Sequence, residues 1–511
     1  MSSQPWVSCL LSAALAAVGC KPAPSLQVLG DSTRLAEREP SPEKSPIFDG
    51  KALHLRGARG ETLGFSLRIS DAKARRVRLQ LPEAALVTGF TVGSLAVKEP
   101  STDLYGPSRG VGSYPDVLTP VVGAEVTADK QAYFDVAIPD TATPGRYEGR
   151  LLVSDQSFPV ELEVSSARID LRRAPLVWVF YLPREIAKAH GLADDDVPAL
   201  LARESLYHEL FRAHGAFLAA DLPPSRFEAR RRFIHDVAYW PVAIDTSSDQ
   251  AIERDVQRWL ELFRGSGVTP FAIPVDEPHT TEARLRARHI AEVMRRAGAG
   301  RPSLLCAVTD AWSPIYGDSI DVYLSPANFP SPASTRARLG ERFWTYNGRP
   351  PAAGSLTLDT DGVALRTWGW IAERYDVELW HAWEGLYFSD RYNDGGRTEV
   401  LRDSLTFDER TRGGTDFGNG DGVLAYPGPL PSLRLKALRR GLEDRLLLRE
   451  LDSCGGAERA RRIVRRVMPR ALGEARGSAS WSVDENVWES ARLEVLDAVE
   501  KECHEQAALA R

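Results

Sequence analysis

The chain has little cysteine and no excess of positive charge. Its five cysteines in 511 residues form no Cys-x-x-Cys pair and no Cys/His cluster with zinc spacing. The formal net charge is −6, so the basic face of a nucleic-acid binder is not expected. Lysine is sparse beside arginine, a bias that reads as GC-rich coding rather than phosphate binding. No internal repeat is visible, which argues against a repeat array. Hydrophobic content of 43% and charged content of 26% are ordinary for a soluble globular protein, and the length suits two or three domains.

Residues 1–20 resemble an export signal. Trp6 to Val18 is apolar but too short for a mature membrane span. It runs into Ala17-Val18-Gly19-Cys20, which is similar to a bacterial lipoprotein processing site with Cys20 as the lipidated residue. The departure is the absence of Lys and Arg from Met1 to Ser8; ordinary secretion or a different start codon are the alternatives. The expected location is therefore exported: an outer-membrane or cell-surface lipoprotein, or a periplasmic or secreted protein, touching the membrane through its lipid alone. Cys306 lies in an apolar run and reads as a buried small hydrophobe, whereas Cys454 and Cys503 could pair in an oxidising compartment.

Residues 21–47, rich in Pro, Ser and charge, read as a disordered linker. Over 48–170, short runs alternate with period two, as in Thr62–Ile69, Val77–Leu81, Ala132–Ile138 and Phe158–Val164. Several such runs closely spaced predict an antiparallel β-sandwich. Over 171–450 apolar strands alternate with helical stretches, which predicts a parallel sheet and, with eight strands, a (β/α)8 TIM-like barrel. The strands are expected at Leu176–Tyr181, Ala216–Ala220, Tyr239–Ile244, Thr269–Val275, Ser303–Val308, Ile320–Leu324, Arg342–Tyr346 and Val377–Trp383. Helices are expected at Val197–His214, Ala251–Arg264, Thr281–Arg296 and Val363–Tyr375, with Arg434–Asp444 closing the barrel. Residues 451–511 read as a helical C-terminal appendage. The fold class is thus multidomain, a β domain followed by an α/β domain and a helical tail.

Function in such a barrel sits at the carboxyl ends of the strands. There Val275-Asp276-Glu277-Pro278 puts two adjacent acids on the rim, which core packing does not require. A surface turn with two solvated acids is the plain alternative. The same rule places Asp310, Asn328, Tyr346, Asn347, Trp383, Glu384 and Tyr387 at later strand ends, with Trp344 inside a strand. Carboxylates with aromatics suit sugars, whose C–H faces stack on rings and whose hydroxyls bind acids and amides. Trp344 and Trp380 could equally be core, Asp310 a helix cap, Asn347-Gly348 a tight turn, and Glu384 a solvated loop acid. The Gly- and Asp-rich loop Thr415–Gly422 lacks the ligand spacing of a calcium loop.

Several motifs together resemble glycoside hydrolase family 123 and the larger uncharacterised family sharing its catalytic domain. They are Val275–Pro278, Trp344–Arg349, Arg366–Trp370, Gly385–Phe388, Asn419–Gly422, Tyr426-Pro427-Gly428 and Arg434–Asp444, spread over most of 48–450. The resemblance implies a β-N-acetylgalactosaminidase-like enzyme that cleaves terminal 2-acetamido sugars with retention. In that mechanism the substrate's own acetamido carbonyl is the nucleophile, an exception to the two-carboxylate arrangement. By match to the motif, Glu277 is the general acid/base and Asp276 orients the acetamido group. Asp310, Trp344, Tyr346, Asn347, Trp383, Glu384 and Tyr387 are the expected substrate-binding residues, with Tyr346 or Tyr387 at the acetamido carbonyl. No metal or organic cofactor is needed, and a glycan or glycoconjugate is the expected partner. Two alternatives stay open: a hydrolase of the same fold acting on another glycoside, with Glu384 or Asp310 as nucleophile or base, and a non-catalytic carbohydrate-binding lipoprotein.

Overall fold

The computed structural model describes residues 26–69, 75–173, 175–193, 195–299, 304–324, 342–389 and 399–509. The expected export signal with Cys20, and Asn328, lie outside the described residues.

Ten strands come first: β1 (Leu26–Gly30), β2 (Leu53–Arg59), β3 (Thr62–Ile69), β4 (Arg75–Gln80), β5 (Leu86–Val97), β6 (Gly112–Pro120), β7 (Glu125–Ala128), β8 (Gln131–Ala137), β9 (Gly145–Val153) and β10 (Gln156–Arg168). They form two five-stranded sheets, ordered β1-β3-β8-β5-β6 and β2-β10-β9-β4-β7. Alternation fixes which side chains face inward: in β4, Val77 and Leu79 are buried while Arg78 and Gln80 are exposed. The inward faces meet in one apolar layer that includes Phe65, Phe134, Leu53 and Leu151. Burying each such side chain contributes about 1.5–3 kcal/mol.

The linker expectation needs correction. Leu26–Gly30 is an edge strand antiparallel to β3, with Leu26 opposite Ile69. Beyond it Asp31, Ser32 and Arg34 are buried. Tyr133 donates to Asp31 at 2.5 Å, and Glu485 accepts from the Ser32 N–H at 2.7 Å. The Pro- and Ser-rich composition of 37–46 hid a short apolar strand and three polar residues with specific buried partners.

The second unit is an eight-stranded, all-parallel sheet. Its strands are β11 (Val177–Val179), β12 (Ala216–Leu218), β13 (Tyr239–Pro241), β14 (Thr269–Ala272), β15 (Leu305–Val308), β16 (Val322–Leu324), β17 (Arg342–Tyr346) and β18 (Trp380–Ala382). Each falls inside or on the strand expected from sequence. The hydrogen-bonded order is β12-β11-β18-β17-β16-β15-β14-β13, so the ladder is open between β12 and β13. Among the described residues a single backbone bond crosses there, from Ala243 N–H to the Leu222 carbonyl at 3.3 Å. The expected fully closed barrel is corrected to this open arrangement. Its physical reason is local: Pro241 has no N–H to give, and Leu222-Pro223-Pro224 leads the chain away.

Helices flank the sheet: α1 (Pro183–Ala189), α2 (Val197–Arg212), α3 (Pro224–Phe227), α4 (Asp249–Leu262), α5 (Thr281–Ala297) and α6 (Thr367–Tyr375). Side-chain caps start three of them, Asp196 for α2, Ser248 for α4 and Thr280 for α5. Three more follow: α7 (Leu433–Leu451), α8 (Ala457–Val467) and α9 (Glu485–Leu509). Helices α6 and α7 cross at Gly369 and Gly441, where a Cβ on Gly369 would lie 1.8 Å from the Gly441 carbonyl oxygen. Among the described residues no helix is long and apolar enough to cross a membrane.

Helix α7 does more than flank the barrel. Its Arg434, Lys436, Arg439 and Arg440 are all buried against sandwich carboxylates. Arg434 bonds Asp116 at 2.9 Å, Lys436 and Arg439 bond Asp135 at 2.6 Å, and Arg440 bonds Glu61 at 2.5 Å. Helix α9 joins the same seam, since Arg492 also holds Glu61, at 2.7 Å. Arg56 on β2 reaches Asp497 at 2.6 Å and Glu500 at 2.8 Å. The tail expected to be an appendage is therefore packed into the first unit. A Cys454–Cys503 disulfide, 49 residues apart, ties α9 to the end of α7. A loop of that length is worth about 4 kcal/mol in the chain-entropy view. Cys306 is free and buried, as its apolar setting suggested.

Asp116 tests the seam. It is fully buried and accepts from Arg434, from Arg34 at 3.4 Å and from Tyr426 at 2.6 Å. Asp116→Ala leaves two buried guanidiniums without their carboxylate and is expected to cost about 3–5 kcal/mol in urea unfolding. A loss below about 1 kcal/mol, the range of exposed ion pairs, would show the seam to be incidental.

Candidate active site

The stretch after β14, Ile273-Pro274-Val275, delivers Asp276 and Glu277 to the carboxyl end of the parallel sheet, where both are exposed. Along an extended strand two successive side chains would point to opposite faces. Glu277 breaks that alternation, with a backbone φ of +44°. A non-glycine residue there carries strain of about 1–3 kcal/mol, and such strain gathers at functional sites. One hydroxyl holds the pair: the Glu277 N–H donates to Thr309 Oγ1 at 2.6 Å, and Thr309 donates to Asp276 Oδ1 at 2.6 Å. Thr309 directly follows β15, so adjacent strand ends fix each other.

Tyr346, the last residue of β17, donates its hydroxyl to Glu277 Oε1 at 3.1 Å. Burial first, and then the Glu277 charge, raise the Tyr346 pKa, which keeps the phenol a donor. His279 Nε2 stands 3.5 Å from Glu277 Oε2, and the Glu277 side chain is still 50% exposed. The structure thus brings together Asp276, Glu277 and Tyr346 from the expected set and adds Thr309 and His279.

The remaining expected residues divide differently. Asp310 is committed: Arg284 Nε donates to it at 2.7 Å and Tyr316 at 2.6 Å. Trp344 is fully buried between Tyr239 and Phe271, with ring centroids at 4.7 and 4.9 Å. It belongs to the barrel core one pleat below Tyr346, so its assignment to substrate is corrected. Asn347 is buried and left-handed at φ +51°, a conformation Asn tolerates. Its Oδ1 accepts from the Trp383 N–H at 2.9 Å and its carbonyl from Trp380 Nε1 at 2.8 Å, so it fastens β17 to β18 and does not face a ligand. Glu384 and Tyr387 are both fully buried, which corrects their assignment to substrate and removes Glu384 as a nucleophile. Trp383 stays half-buried, its Nε1 donating to Asp421 at 2.8 Å. Burial pushes the Asp421 carboxyl up to about 7. The Gly- and Asp-rich loop therefore turns its Asp421 inward to fix Trp383.

One carboxylate at this mouth was missed. Asp221 follows β12 by three residues and is exposed, yet surrounding protein, together with the Asp276 charge, pushes it up to about 6. The strand-end rule applied at Asp276 would have found it after the apolar run Ala216–Ala220. His381, on β18, stacks on Trp178 at 3.8 Å and is pushed down to about 3 by burial, so it stays neutral. Among the described residues, the cluster close enough to hold a metal is Glu450 with Cys454 and Cys503, whose sulfurs are joined to each other.

No family model and no curated protein sequence matches the chain. Among solved structures, a family 123 glycoside hydrolase from Clostridium perfringens, studied for glycolipid glycan hydrolysis, is similar at a TM-score of 0.65 and 13% identity, over 96% of this chain and 100% of that one. A glycosyl hydrolase family 2 member from Bacteroides cellulosilyticus aligns at a TM-score of 0.27 and 11% identity, over 64% of this chain and 44% of that one. A putative alpha-galactosidase from Bacteroides fragilis aligns at 0.22 and 11%, over 65% and 72%. The last two are too distant to carry an argument. The first shows that the chain has the fold the motif resemblance implied.

The effect of the Asp276 charge on Asp221 makes a direct prediction. Asp276→Asn removes a neighbouring negative charge and lowers the Asp221 pKa from about 6, while burial keeps it above the ordinary value of 3.8. Carboxyl-carbon NMR titration measures it; an unchanged midpoint would mean that the two groups do not sense each other.

Proposed function

We propose that this protein is a glycoside hydrolase that cleaves terminal 2-acetamido sugars of the N-acetyl-β-galactosaminide type by substrate-assisted, retaining catalysis. The observation that carries the reading is the adjacent Asp276 and Glu277, exposed at the carboxyl end of the sheet and both bound to Thr309. The fold shared with the Clostridium perfringens enzyme supports it.

In this reading Glu277 gives its proton to the glycosidic oxygen as the acetamido carbonyl oxygen attacks the anomeric carbon. The bond to the leaving alcohol breaks and a cyclic oxazolinium ion forms. Asp276 accepts a hydrogen bond from the acetamido N–H, aligns the group and stabilises the positive charge. Glu277, now a carboxylate, takes a proton from water as that water opens the ring at the anomeric carbon. Tyr346 orients Glu277 throughout.

A conventional retaining pair needs a second ionised carboxylate across the sugar at about 5–5.5 Å. Glu384 is sealed in the core, and Asp310 is tied to Arg284 and Tyr316. These placements favour substrate assistance over the two-carboxylate alternative. Export as a lipoprotein through Cys20 remains part of the proposal.

A panel of nitrophenyl glycosides tests the reading. Turnover is expected on the N-acetyl-β-galactosaminide and not on sugars without the acetamido group. Glu277→Gln should lower kcat by about 10²–10⁴-fold. Thr309→Val should lower kcat more than it raises KM, because it loosens the pair without touching the ring-binding walls. Glycan binding with no turnover, unchanged in Glu277→Gln, would make this a binding protein instead. For the anchor, Cys20→Ala should move the expressed protein from the detergent phase to the aqueous phase; no movement would refute lipidation at Cys20.

A further inference from the structure

Asp221 stands where the parallel sheet is open. It follows β12, and the single backbone bond across the β12–β13 gap ends on the next residue, Leu222. Pro223 and Pro224 come directly after, so the backbone φ is fixed at both and Leu222 is confined to extended conformations. The side chain is therefore exposed, but its backbone is stiff. Asp276 lies at the end of β14, two positions along the mouth, close enough for its charge to act on Asp221. Some carboxylates elsewhere in the fold are covered by arginine, as Asp310 is by Arg284 and Asp116 by Arg434. Among the described residues, the interactions that set the state of Asp221 are the surrounding protein, its own backbone N–H and the Asp276 charge, and none of these comes from a cation.

A carboxylate on stiff backbone just past a strand end, exposed and with no cation on it among the described residues, is placed to accept hydrogen bonds from something that enters. We propose that Asp221 is a substrate-contact residue, accepting hydrogen bonds from ring hydroxyls of the sugar whose anomeric carbon is seated at Asp276 and Glu277. The inference rests on the proposed function, since it places a sugar at that pair. It goes further by assigning the β12 side of the mouth to hydroxyl recognition and by giving specificity to a residue outside the matched motifs.

The test separates the two claims. Binding of free N-acetylgalactosamine is measured by calorimetry in Glu277→Gln and in the double variant Glu277→Gln/Asp221→Ala. Hydrolysis of the nitrophenyl N-acetyl-β-galactosaminide is measured in the wild type and in Asp221→Ala and Asp221→Asn. Asp221 is exposed, so the variants should fold, and thermal melting checks this. The expected result is about a ten- to hundredfold loss of affinity on removing Asp221, the scale of a hydrogen bond to a charged group. Asp221→Asn should fall between the wild type and Asp221→Ala, because the amide keeps one acceptor. KM should rise more than kcat falls. Equal affinity with and without Asp221, or no binding in either, overturns the inference. Hydrolysis independent of Asp221 leaves the glycosidase reading standing and this inference refuted. Asp221-dependent binding with no hydrolysis by the wild type refutes the glycosidase reading and leaves the inference standing.

Discussion

The arrangement depends on one row of buried cations. Arg434, Lys436, Arg439 and Arg440 leave one helix and end on Asp116, Asp135 and Glu61 of the sandwich sheets. Moving such charges out of water costs several kcal/mol each, which attraction recovers only when geometry and hydrogen bonding are complete. The seam meets that condition closely. Asp116 accepts from two arginines and a tyrosine, and Arg434 also donates to the carbonyls of Leu356, Gly420 and Val423 at 2.6 Å. Those carbonyls lie in the loops around Trp383 and Asp421. Burial in this seam pushes Arg34 down to about 10 and Glu443 up to about 8. Such a seam contributes little net stability compared with an apolar one. Its effect is on specificity, because slippage of the helix would leave several buried charges unpaired at once.

From that frame the order is passed to the mouth through short, stiff links. The α6–α7 crossing at Gly369 and Gly441 brings two backbones into contact. Helix α6 then carries Trp368, stacked on Trp380 of β18 at 4.7 Å. Trp380 bonds the Asn347 carbonyl, Asn347 holds the Trp383 backbone, and Tyr346, one residue earlier, meets Glu277. Each link is a buried ring or a left-handed residue with few alternative states. Positioning of this kind lets a half-exposed glutamate keep one orientation.

Most of the parallel strands were legible in the sequence because they are buried on both sides and read as apolar runs, as in Val177–Val179, Ala216–Leu218 and Leu305–Val308. Edge strand β1 was not, because five residues beside a Pro- and Ser-rich stretch carry too little alternation to stand out. The same physics explains the divided outcome at the mouth. Asp276 and Glu277 were legible since nothing in a core calls for adjacent acids at a strand end. Trp344 and Tyr346 share one face of β17, but the pleat puts one in the core and the other at the rim, and sequence carries the face without the depth. Glu384 and Tyr387 lie past a strand end, where exposure is the ordinary expectation. Their burial comes from the 417–426 segment folding over them, with the Gly422 Cα set against Trp383, Glu384 and Tyr387 where a side chain would collide. That is a long-range contact no local pattern reports.

The carboxylates themselves separate structure from chemistry. Asp116, Asp135, Glu61, Asp444 and Asp310 each take a guanidinium or ammonium partner. At Asp116, Asp135 and Glu61 the neighbouring cations hold the carboxyl below its ordinary value against the opposing effect of burial. Asp276 and Glu277 instead meet the neutral hydroxyls of Thr309 and Tyr346 and the imidazole of His279. A hydroxyl orients a carboxylate through a directed hydrogen bond without placing a full charge beside it. Among the described residues no guanidinium is bonded to the exposed acid pair. The left-handed backbone at Glu277 falls at the same point, so strain and directed hydroxyl contacts together set this corner of the sheet apart from the ion-paired carboxylates of the seam.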